Sequence, residues 1–229
     1  MAQRQAIQTT LPFPKRGGRR KGAGRKREDG RATKGSVHTP RPRLDGRTPV
    51  HVTLRVRRDV PNLRTQVTMK VLWTAFAAAK NRLGVRLAQW SVQRDHLHLL
   101  VEPEDEDALS RGMQGLKIRI AKALNKALGR RGSVFADRFH AVPLRRPRQV
   151  RNALAYVLLN ARHHSPATAS SALDPCSSAP CFDGWTLPRS PTPGPWSDGV
   201  APPATRLLRV GWKRHGLVDP TEVPGARAG

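Results

Sequence analysis

Apolar and polar residues alternate along several stretches of the chain. Residues 50–56 read VHVTLRV, and residues 96–102 read HLHLLVE. Such alternation is typical of a β-strand with one face in the core, because successive side chains point to opposite faces of the strand. Residues 85–95 have a similar character and lead into the second stretch through a tight turn, which predicts a hairpin. We expect a last strand within residues 133–145.

Three other stretches repeat their apolar residues at helical spacing. They cover residues 64–84, 105–131 and 147–164. Apolar side chains three and four residues apart fall on one side of a helix, so each stretch is predicted to be an amphipathic helix. The order strand, helix, strand, strand, helix, strand, helix predicts an α+β, ferredoxin-like (RRM-like) fold. Its antiparallel sheet would have helices on one side, followed by a C-terminal helix that carries Tyr156.

The composition divides the chain into a folded centre and two polar ends. The chain has 229 residues, of which 19 are Gly and 20 are Pro, and these cluster towards the two ends. A segment that is charged and poor in apolar residues cannot bury enough surface to fold alone. We expect a disordered basic arm over residues 1–47, a folded domain over 48–164, and a Pro-, Ser- and Gly-rich linker with a basic C-terminal tail over 165–229.

The strongest signal in the composition is the net charge of +26 at pH 7. A surface this positive attracts polyanions, and a nucleic-acid backbone is the most common one. The candidate phosphate contacts lie in the N-terminal arm and on the outer face of the second helix: Arg19, Arg20, Lys21, Arg25, Lys26, Arg27, Arg111, Lys117, Arg119, Lys122 and Lys126. No stretch approaches the roughly 18 apolar residues of a membrane span, so we expect a cytoplasmic protein without a membrane partner.

Two histidines stand one residue apart in the strand at 96–102. His96 and His98 would therefore emerge side by side on the same face of the sheet. Two neighbouring imidazoles repel each other when protonated, and a metal ion is the usual group that they share. The alternative is a pair of histidines on a solvated sheet face, and this stretch alone does not decide between the two.

The only tyrosine of the chain lies on the last predicted helix, opposite the apolar stripe of that helix. An aromatic residue on such a helix usually packs in the core, but Tyr156 faces away from it. Asn160 follows by one helical turn, so both side chains can reach the same partner. His96, His98 and Asn160 would form a three-ligand metal site with positions open for a phosphate, and Tyr156 would attack phosphorus to form a covalent phosphotyrosine.

These residues resemble a known group of enzymes. DHLHLLVE is similar to the HUH motif (His, hydrophobic, His), and ALAYVLLNARHH resembles the tyrosine helix of the single-tyrosine HUH transposases. The similarity spans about residues 48–164, and the basic ends suggest the branch of REP-associated tyrosine transposases. The resemblance implies Tyr156 as the nucleophile, His96 and His98 as ligands, and Mg²⁺ or Mn²⁺ as the ion. Many relatives have a glutamine as third ligand where Asn160, one methylene shorter, stands in this chain.

The resemblance also implies a function and a partner. It predicts an endonuclease and strand transferase that cleaves single-stranded, hairpin-associated DNA through a 5′-phosphotyrosine intermediate, in the bacterial cytoplasm at the nucleoid. Family members occur as homodimers and as monomers, and the sequence leaves this open. Three alternatives also stay open: a domesticated DNA- or RNA-binding protein without catalysis on the same fold, an RNA-recognition domain with stacked aromatics, and a replication-initiator or relaxase nickase.

Overall fold

A five-stranded antiparallel sheet lies at the centre of the computed structural model, which describes residues 43–164, 173–187 and 199–224. The strands are β1 (Val50–Arg55), β2 (Asn81–Arg82), β3 (Val85–Val92), β4 (His96–Pro103) and β5 (His140–Pro143). Their order in the sheet is β2-β3-β4-β1-β5, and all neighbours are antiparallel. Because β1 lies between β4 and β5, the four longer strands have the ferredoxin-like order, and the predicted α+β fold class is confirmed.

Helices α1 (Gln66–Ala79) and α2 (Glu106–Ala127) cover one face of this sheet, which we call the α1–α2 face. The Thr65 hydroxyl accepts the Thr68 amide where α1 begins. The Asp105 carboxylate accepts the Ala108 amide at 2.6 Å where α2 begins. Such N-caps satisfy amides that have no partner inside the helix. The apolar residues of β1 and β4 that pack against these helices are at most 1% exposed: Val50, Val52, Leu54, Leu97, Leu99 and Val101.

The opposite face, which we call the histidine face, carries the other residues of the alternating strands. Helix α3 (Pro147–Leu158) packs on it against β3 and β4. Pro147 occupies the first helical position, where its missing amide hydrogen costs nothing, and the Gln149 side chain accepts the Arg146 amide at 3.0 Å. The apolar residues of α3 form a second core with Ala88 and Leu100 of the sheet. The sheet is therefore covered on both faces.

Residues 173–187 and 199–224 contribute to this second core, which corrects the expectation of a linker and tail over 165–229. Phe182, Trp185 and Trp212 are at most 5% exposed. These aromatic side chains bury much more apolar surface than the surrounding Pro, Ser and Gly residues. A segment with a low average hydrophobicity can therefore still dock, because a few large side chains supply the buried area.

The docked segment contains little regular structure. It forms helix α5 (Arg206–Arg209) and two short 3₁₀ helices, Ala179–Cys181 and Gly211–His215. Two forked ion pairs join it to the sheet domain. Arg64 holds Asp174 at 2.7 and 2.9 Å, and Arg151 of α3 holds Glu222 at 2.6 and 2.7 Å.

The last predicted helix, residues 147–164, is divided at Leu159 into α3 and α4 (Asn160–His164). Leu159 has φ −111° and ψ 17°, outside the helical region. Four consecutive residues at this point, 157–160, are all buried. One apolar stripe cannot bury four neighbours in sequence, and the cover on both sides of α3, by the sheet and by the docked C-terminal residues, accounts for their burial.

Two other boundaries differ from the predictions. The first helix ends at Ala79 instead of continuing to Gly84, because residues 81–86 form a small hairpin whose turn has Leu83 and Gly84 at φ 55° and 70°. Gly84 adopts this left-handed backbone without strain. The last strand covers only His140–Pro143, within the 133–145 region.

Most of the predicted basic arm lies outside the described residues. This applies to the six candidate phosphate contacts of the arm: Arg19, Arg20, Lys21, Arg25, Lys26 and Arg27. Within the ranges that are described, no helix has both the length and the apolar character needed to cross a membrane.

Candidate active site

Strand β4 places the two predicted histidines on the histidine face. The rings of His96 and His98 have their centroids 4.7 Å apart and are nearly perpendicular, at 87°. His98 is only 4% exposed, whereas His96, at the start of the strand, is partly exposed. The pairing that the sequence predicted is therefore present, with one ring at the rim of the sheet and one inside it.

Helix α3 brings Tyr156 onto these histidines within the same chain. The ring centroids of Tyr156 and His98 are 5.1 Å apart, and the rings meet edge to face at 78°. Tyr156 also contacts the ring of His51 at 5.8 Å. Helix α3 is packed between the sheet and the docked C-terminal residues. These contacts on both sides of the helix keep the phenol of Tyr156 against the imidazoles.

A third histidine, His51 on β1, belongs to the same cluster. Antiparallel pairing places Thr53 opposite His98 and His51 opposite Leu100. The Nε2 atom of His51 lies 3.1 Å from Nδ1 of His98, and the Thr53 hydroxyl lies 3.3 Å from the same nitrogen. The sequence indicated that His51 lies on the face of the sheet that carries the histidines, but not that it contacts His98. Its contact with His98 depends on the register between β1 and β4, which the alternation does not determine.

His51 is neutral at physiological pH. Burial, and to a smaller extent the charge of His140, lowers the pKa of His51 to about 4. A neutral imidazole can accept a hydrogen bond at one ring nitrogen while it carries a proton on the other. His51 can therefore accept a hydrogen bond from Nδ1 of His98. In that tautomer of His98 the proton lies on Nδ1 and the lone pair lies on Nε2.

His96 has a comparable contact through its own Nδ1. The Asp95 carboxylate lies 2.7 Å from Nδ1 of His96, and Asp95 also accepts from Arg55 at 3.0 Å. The hydrogen bond to His96, followed by that to Arg55, lowers the pKa of the Asp95 carboxyl. A carboxylate on one ring nitrogen orients an imidazole and makes the other nitrogen a better ligand, an arrangement common around metal-binding histidines. Both histidines of β4 are thus oriented through Nδ1.

Asn160 occupies an unusual environment at the start of α4. Its side chain is 1% exposed, and neither the amide oxygen nor the amide nitrogen has a hydrogen-bond partner in the described part of the chain. A buried amide left without any partner costs about 1–3 kcal/mol, so a water, an ion or another group is expected to satisfy this side chain. The break at Leu159 means that Asn160 and Tyr156 do not share one continuous helix, as the predicted spacing assumed.

The predicted metal ligands are two imidazoles and an amide instead of an acidic cluster. Among the described residues, no group of three or more His, Cys, Asp or Glu is arranged to hold a metal ion. Of the predicted ligands, the structure brings His96 and His98 together and buries Asn160 at the start of α4. Imidazole nitrogens and amide oxygens are accepted ligands of Mn²⁺, and Mg²⁺ prefers the oxygens.

The predicted phosphate contacts of α2 are not part of this cluster. Arg111, Arg119, Lys122 and Lys126 are exposed on α2, which packs on the opposite face of the sheet from Tyr156. Lys117 is half-buried and donates to the Asp137 carbonyl at 2.7 Å. Desolvation by burial lowers the pKa of Lys117.

The histidine face also differs from that of an aromatic RNA-binding sheet. Trp90 of β3 is fully buried on the α1–α2 face, where its ring packs 5.0 Å from that of Phe76. RNA-recognition sheets expose two or three aromatics for base stacking. Trp90 is therefore not available to stack bases beside the histidines.

The chain is similar to a known protein family and to solved structures. Residues 47–158 match the family of IS200-like transposases. A REP-associated tyrosine transposase solved with a REP hairpin is 21% identical, with a TM-score of 0.50, over 62% of this chain and 82% of that chain. A candidate transposase from Deinococcus radiodurans R1 is 15% identical over 49% of this chain and 86% of that chain, and its TM-score of 0.37 carries no weight. No curated protein matches the chain.

Proposed function

Because residues 47–158 belong to the IS200-like transposase family, we propose that the chain cleaves and rejoins single-stranded DNA through a covalent 5′-phosphotyrosine at Tyr156. The observation that carries the proposal is the edge contact between Tyr156 and His98, at 5.1 Å between ring centroids. A phenol and two imidazoles are thereby grouped on one face of the sheet, and the phenol is the nucleophile of the group.

The proposed reaction conserves the energy of the phosphodiester. The Tyr156 oxygen forms a bond to phosphorus while the bond from phosphorus to the 3′ oxygen breaks. The phenol proton ends on the released 3′-hydroxyl, so neither water nor a nucleotide is consumed. Attack by another 3′-hydroxyl on the phosphotyrosine reverses the step and joins two DNA ends, which is strand transfer instead of hydrolysis.

The residues around Tyr156 have separate roles in this proposal. His96, His98 and Asn160 would hold Mg²⁺ or Mn²⁺, which supplies neutralisation of the charge on the non-bridging phosphate oxygens. Asp95 and His51 orient the two imidazoles. Helix α3, fixed by the second core, positions the phenol over them, and such positioning accounts for a large share of catalysis in group transfer.

The substrate proposed is a single strand beside a DNA hairpin. The net charge of +26 supports a polyanionic partner. The REP-associated transposase of similar fold was solved with a REP hairpin, which makes hairpin DNA the first substrate to test. The absence of a Trp90 platform on the histidine face argues against the RNA-recognition alternative.

The test is an adduct assay with labelled hairpin oligonucleotides and Mn²⁺ or Mg²⁺. Wild type should form a denaturation-resistant protein–DNA adduct. Because Tyr156 would be joined to the 5′ phosphate of the downstream fragment, the adduct should retain a label placed at the 3′ end of the oligonucleotide. Tyr156→Phe and His98→Ala should form none, although both should still bind the hairpin. If wild type binds hairpin DNA as tightly as both variants and forms no adduct, the chain is instead a binding protein without catalysis.

A further inference from the structure

An open groove lined by three arginines lies beside the start of the tyrosine helix. Its walls are residues 45–48 before β1, Arg145 before α3, and residues 204–207 at the start of α5. Arg47, Arg145 and Arg206 are all exposed. We infer that this arginine groove binds the phosphate backbone of the DNA substrate. The inference rests on the function proposed above and assigns a location to the contact.

The walls of the groove are held in place by hydrogen bonds from distant parts of the chain. The Leu144 amide donates to the Pro49 carbonyl at 2.8 Å, which fixes Arg145 beside the turn before β1. The carboxylate of Glu102 on β4 accepts the amides of Ala204 and Thr205, both at 2.7 Å. The groove is therefore assembled without DNA, and a preformed site loses less conformational entropy when it binds.

Carboxylates of the described residues lie near the groove but do not pair directly with its arginines. None of Arg47, Arg145 and Arg206 forms an ion pair with a carboxylate in the described part of the chain. Asp45 also lines the groove, where it accepts the Thr48 hydroxyl at 2.9 Å and the Arg47 backbone amide at 3.1 Å. Glu102 is engaged by the amides of Ala204 and Thr205, so three guanidinium groups stand against the two carboxylates of Asp45 and Glu102. The planar fork of guanidinium donors matches the oxygens of a phosphate.

The position of the groove suits a strand that is also held at Tyr156. Helix α3 begins at Pro147, directly after the Arg145 and Arg146 pair, and carries Tyr156 nine residues later. At about 1.5 Å per residue the helix spans about 14 Å over this interval. That length corresponds to about four phosphates if the strand keeps the roughly 3.4 Å per-strand spacing of duplex DNA, and to fewer if it is extended. DNA that reaches Tyr156 can therefore extend a few nucleotides along α3 into the groove.

The basic surface of α2 provides a matched comparison. Arg111, Arg119 and Lys122 are as exposed as the groove arginines but lie on the helix that covers the other face of the sheet. A strand bound at Tyr156 would have to pass around the sheet to reach them. If only net charge mattered, the two sets would contribute equally to DNA binding.

The experiment compares two triple variants with the same net charge. One is Arg47→Gln/Arg145→Gln/Arg206→Gln, and the other is Arg111→Gln/Arg119→Gln/Lys122→Gln. Both are made in the Tyr156→Phe background, so that cleavage cannot disturb the measurement. The dissociation constant for one hairpin oligonucleotide with a single-stranded flank is measured over a series of salt concentrations, and thermal unfolding confirms that both variants fold.

The groove variant should lose about two from the slope of log Kd against log salt, since each phosphate contact on a single strand contributes about 0.7. The α2 variant should lose less than about 0.7, the value of one contact. An equal loss in both variants, or a larger loss in the α2 variant, would overturn the inference.

Two further results separate this inference from the proposed reaction. If the groove substitutions in an otherwise wild-type chain leave binding unchanged while the Tyr156 adduct still forms, the groove is wrong and the reaction stands. If the groove dominates binding but wild type forms no adduct, the reaction fails and the groove remains a DNA-binding site. A hairpin without the flanking strand shows which part of the DNA the groove contacts.

Discussion

The two faces of the sheet are built on different principles. On the α1–α2 face, the alternating apolar residues of β1 and β4 meet two amphipathic helices that are adjacent to them in sequence, and nearly all buried groups are apolar. On the histidine face, the same strands present imidazoles, and the cover consists of α3 and of residues from 173–187 and 199–224. One face provides stability from local patterns, whereas the other is a polar surface enclosed by distant segments.

The residues of the proposed reaction lie on the second face of the sheet. A buried polar side chain is costly unless it has a partner, so a core made only for stability excludes it. His98 on the histidine face and Asn160 at the start of α4 are nevertheless at most 4% exposed. Their burial places the groups in a medium of low dielectric, where charge interactions with a phosphate are stronger than in water. If the two faces have separate roles, substitutions on the histidine face should change adduct formation, and substitutions on the α1–α2 face should change the free energy of unfolding.

The largest difference between the faces should appear in a comparison of Tyr156→Phe with Leu99→Ala. Tyr156→Phe removes only the hydroxyl, so adduct formation should fall by at least about 10³-fold, to the limit of detection, while the thermal unfolding midpoint changes little. The rate of adduct formation on a labelled hairpin and a thermal melt measure the two effects. A Tyr156→Phe protein that still forms the adduct would show that another residue is the nucleophile.

Leu99→Ala should have the opposite signature. Leu99 lies on the same strand as His98 but is fully buried on the α1–α2 face. The substitution should lower the free energy of unfolding by about 2–5 kcal/mol, because it removes buried methyl groups and leaves a cavity. The adduct rate per folded molecule should stay within about twofold of wild type. A denaturant titration gives the unfolding energy, and a large loss of rate in the folded protein would contradict the separation of the two faces.

The orientation of His98 by His51 should be visible in metal affinity. His51→Leu removes the ring that lies 3.1 Å from Nδ1 of His98, whereas His51→Gln retains a side chain that can accept a hydrogen bond. We expect His51→Leu to weaken Mn²⁺ binding about tenfold, as removal of an orienting partner typically does, and His51→Gln to recover part of the loss. Electron paramagnetic resonance of free Mn²⁺ measures the affinity without DNA. If wild type, His51→Leu and His51→Gln bind Mn²⁺ with equal affinity, His51 has no part in orienting His98 for metal binding.

The sequence predicted the α1–α2 face more completely than the histidine face. The alternation in VHVTLRV matches the alternating burial of β1. In HLHLLVE it predicts which residues of β4 face α1 and α2, although β4 is buried on both faces, and helical spacing predicts α1 and α2. The His96, His98 and Tyr156 cluster could be anticipated because each lies on a strongly patterned element. His51 could not be assigned to it, because its contact with His98 depends on strand register.

The docked C-terminal residues were the least predictable part. Trp185 lies in a segment rich in Pro and Ser, whose average composition is that of a linker, whereas Trp212 lies in the apolar and basic stretch TRLLRVGWKRHGL, which the sequence indicated could dock on the domain or on DNA. No local period marks the surface that they cover, since the complementary groups on α3 are more than 20 residues away in sequence. Long-range docking of this kind depends on a few side chains, and a pattern based on neighbouring residues does not detect it.

The smallest expected effect is on the free energy of unfolding. It appears when the ion pair between α3 and the docked C-terminal residues is compared with an exposed ion pair elsewhere. Arg151 holds Glu222 through two contacts of 2.6 and 2.7 Å, and also donates to the Leu217 carbonyl at 3.0 Å. Arg57 and Asp59 form a pair at 3.0 Å with both side chains more than half exposed. Arg151→Met should lower the free energy of unfolding by about 1–2 kcal/mol, because a forked, partly buried pair is lost. Arg57→Met should change it by less than about 0.5 kcal/mol.

The same comparison also tests what the docked segment does for the reaction. Arg151→Met loosens the cover over α3 but touches neither Tyr156 nor the histidines, so a moderate loss of adduct rate should accompany the loss of stability. Addition of salt should narrow the difference in unfolding energy between Arg151→Met and wild type only slightly, since partly buried pairs are screened less than exposed ones. If Arg151→Met and Arg57→Met have equal unfolding energies, the Arg151 pair does not fasten the histidine face. The aromatic contacts of Trp212 would then be the main attachment of the C-terminal residues to α3.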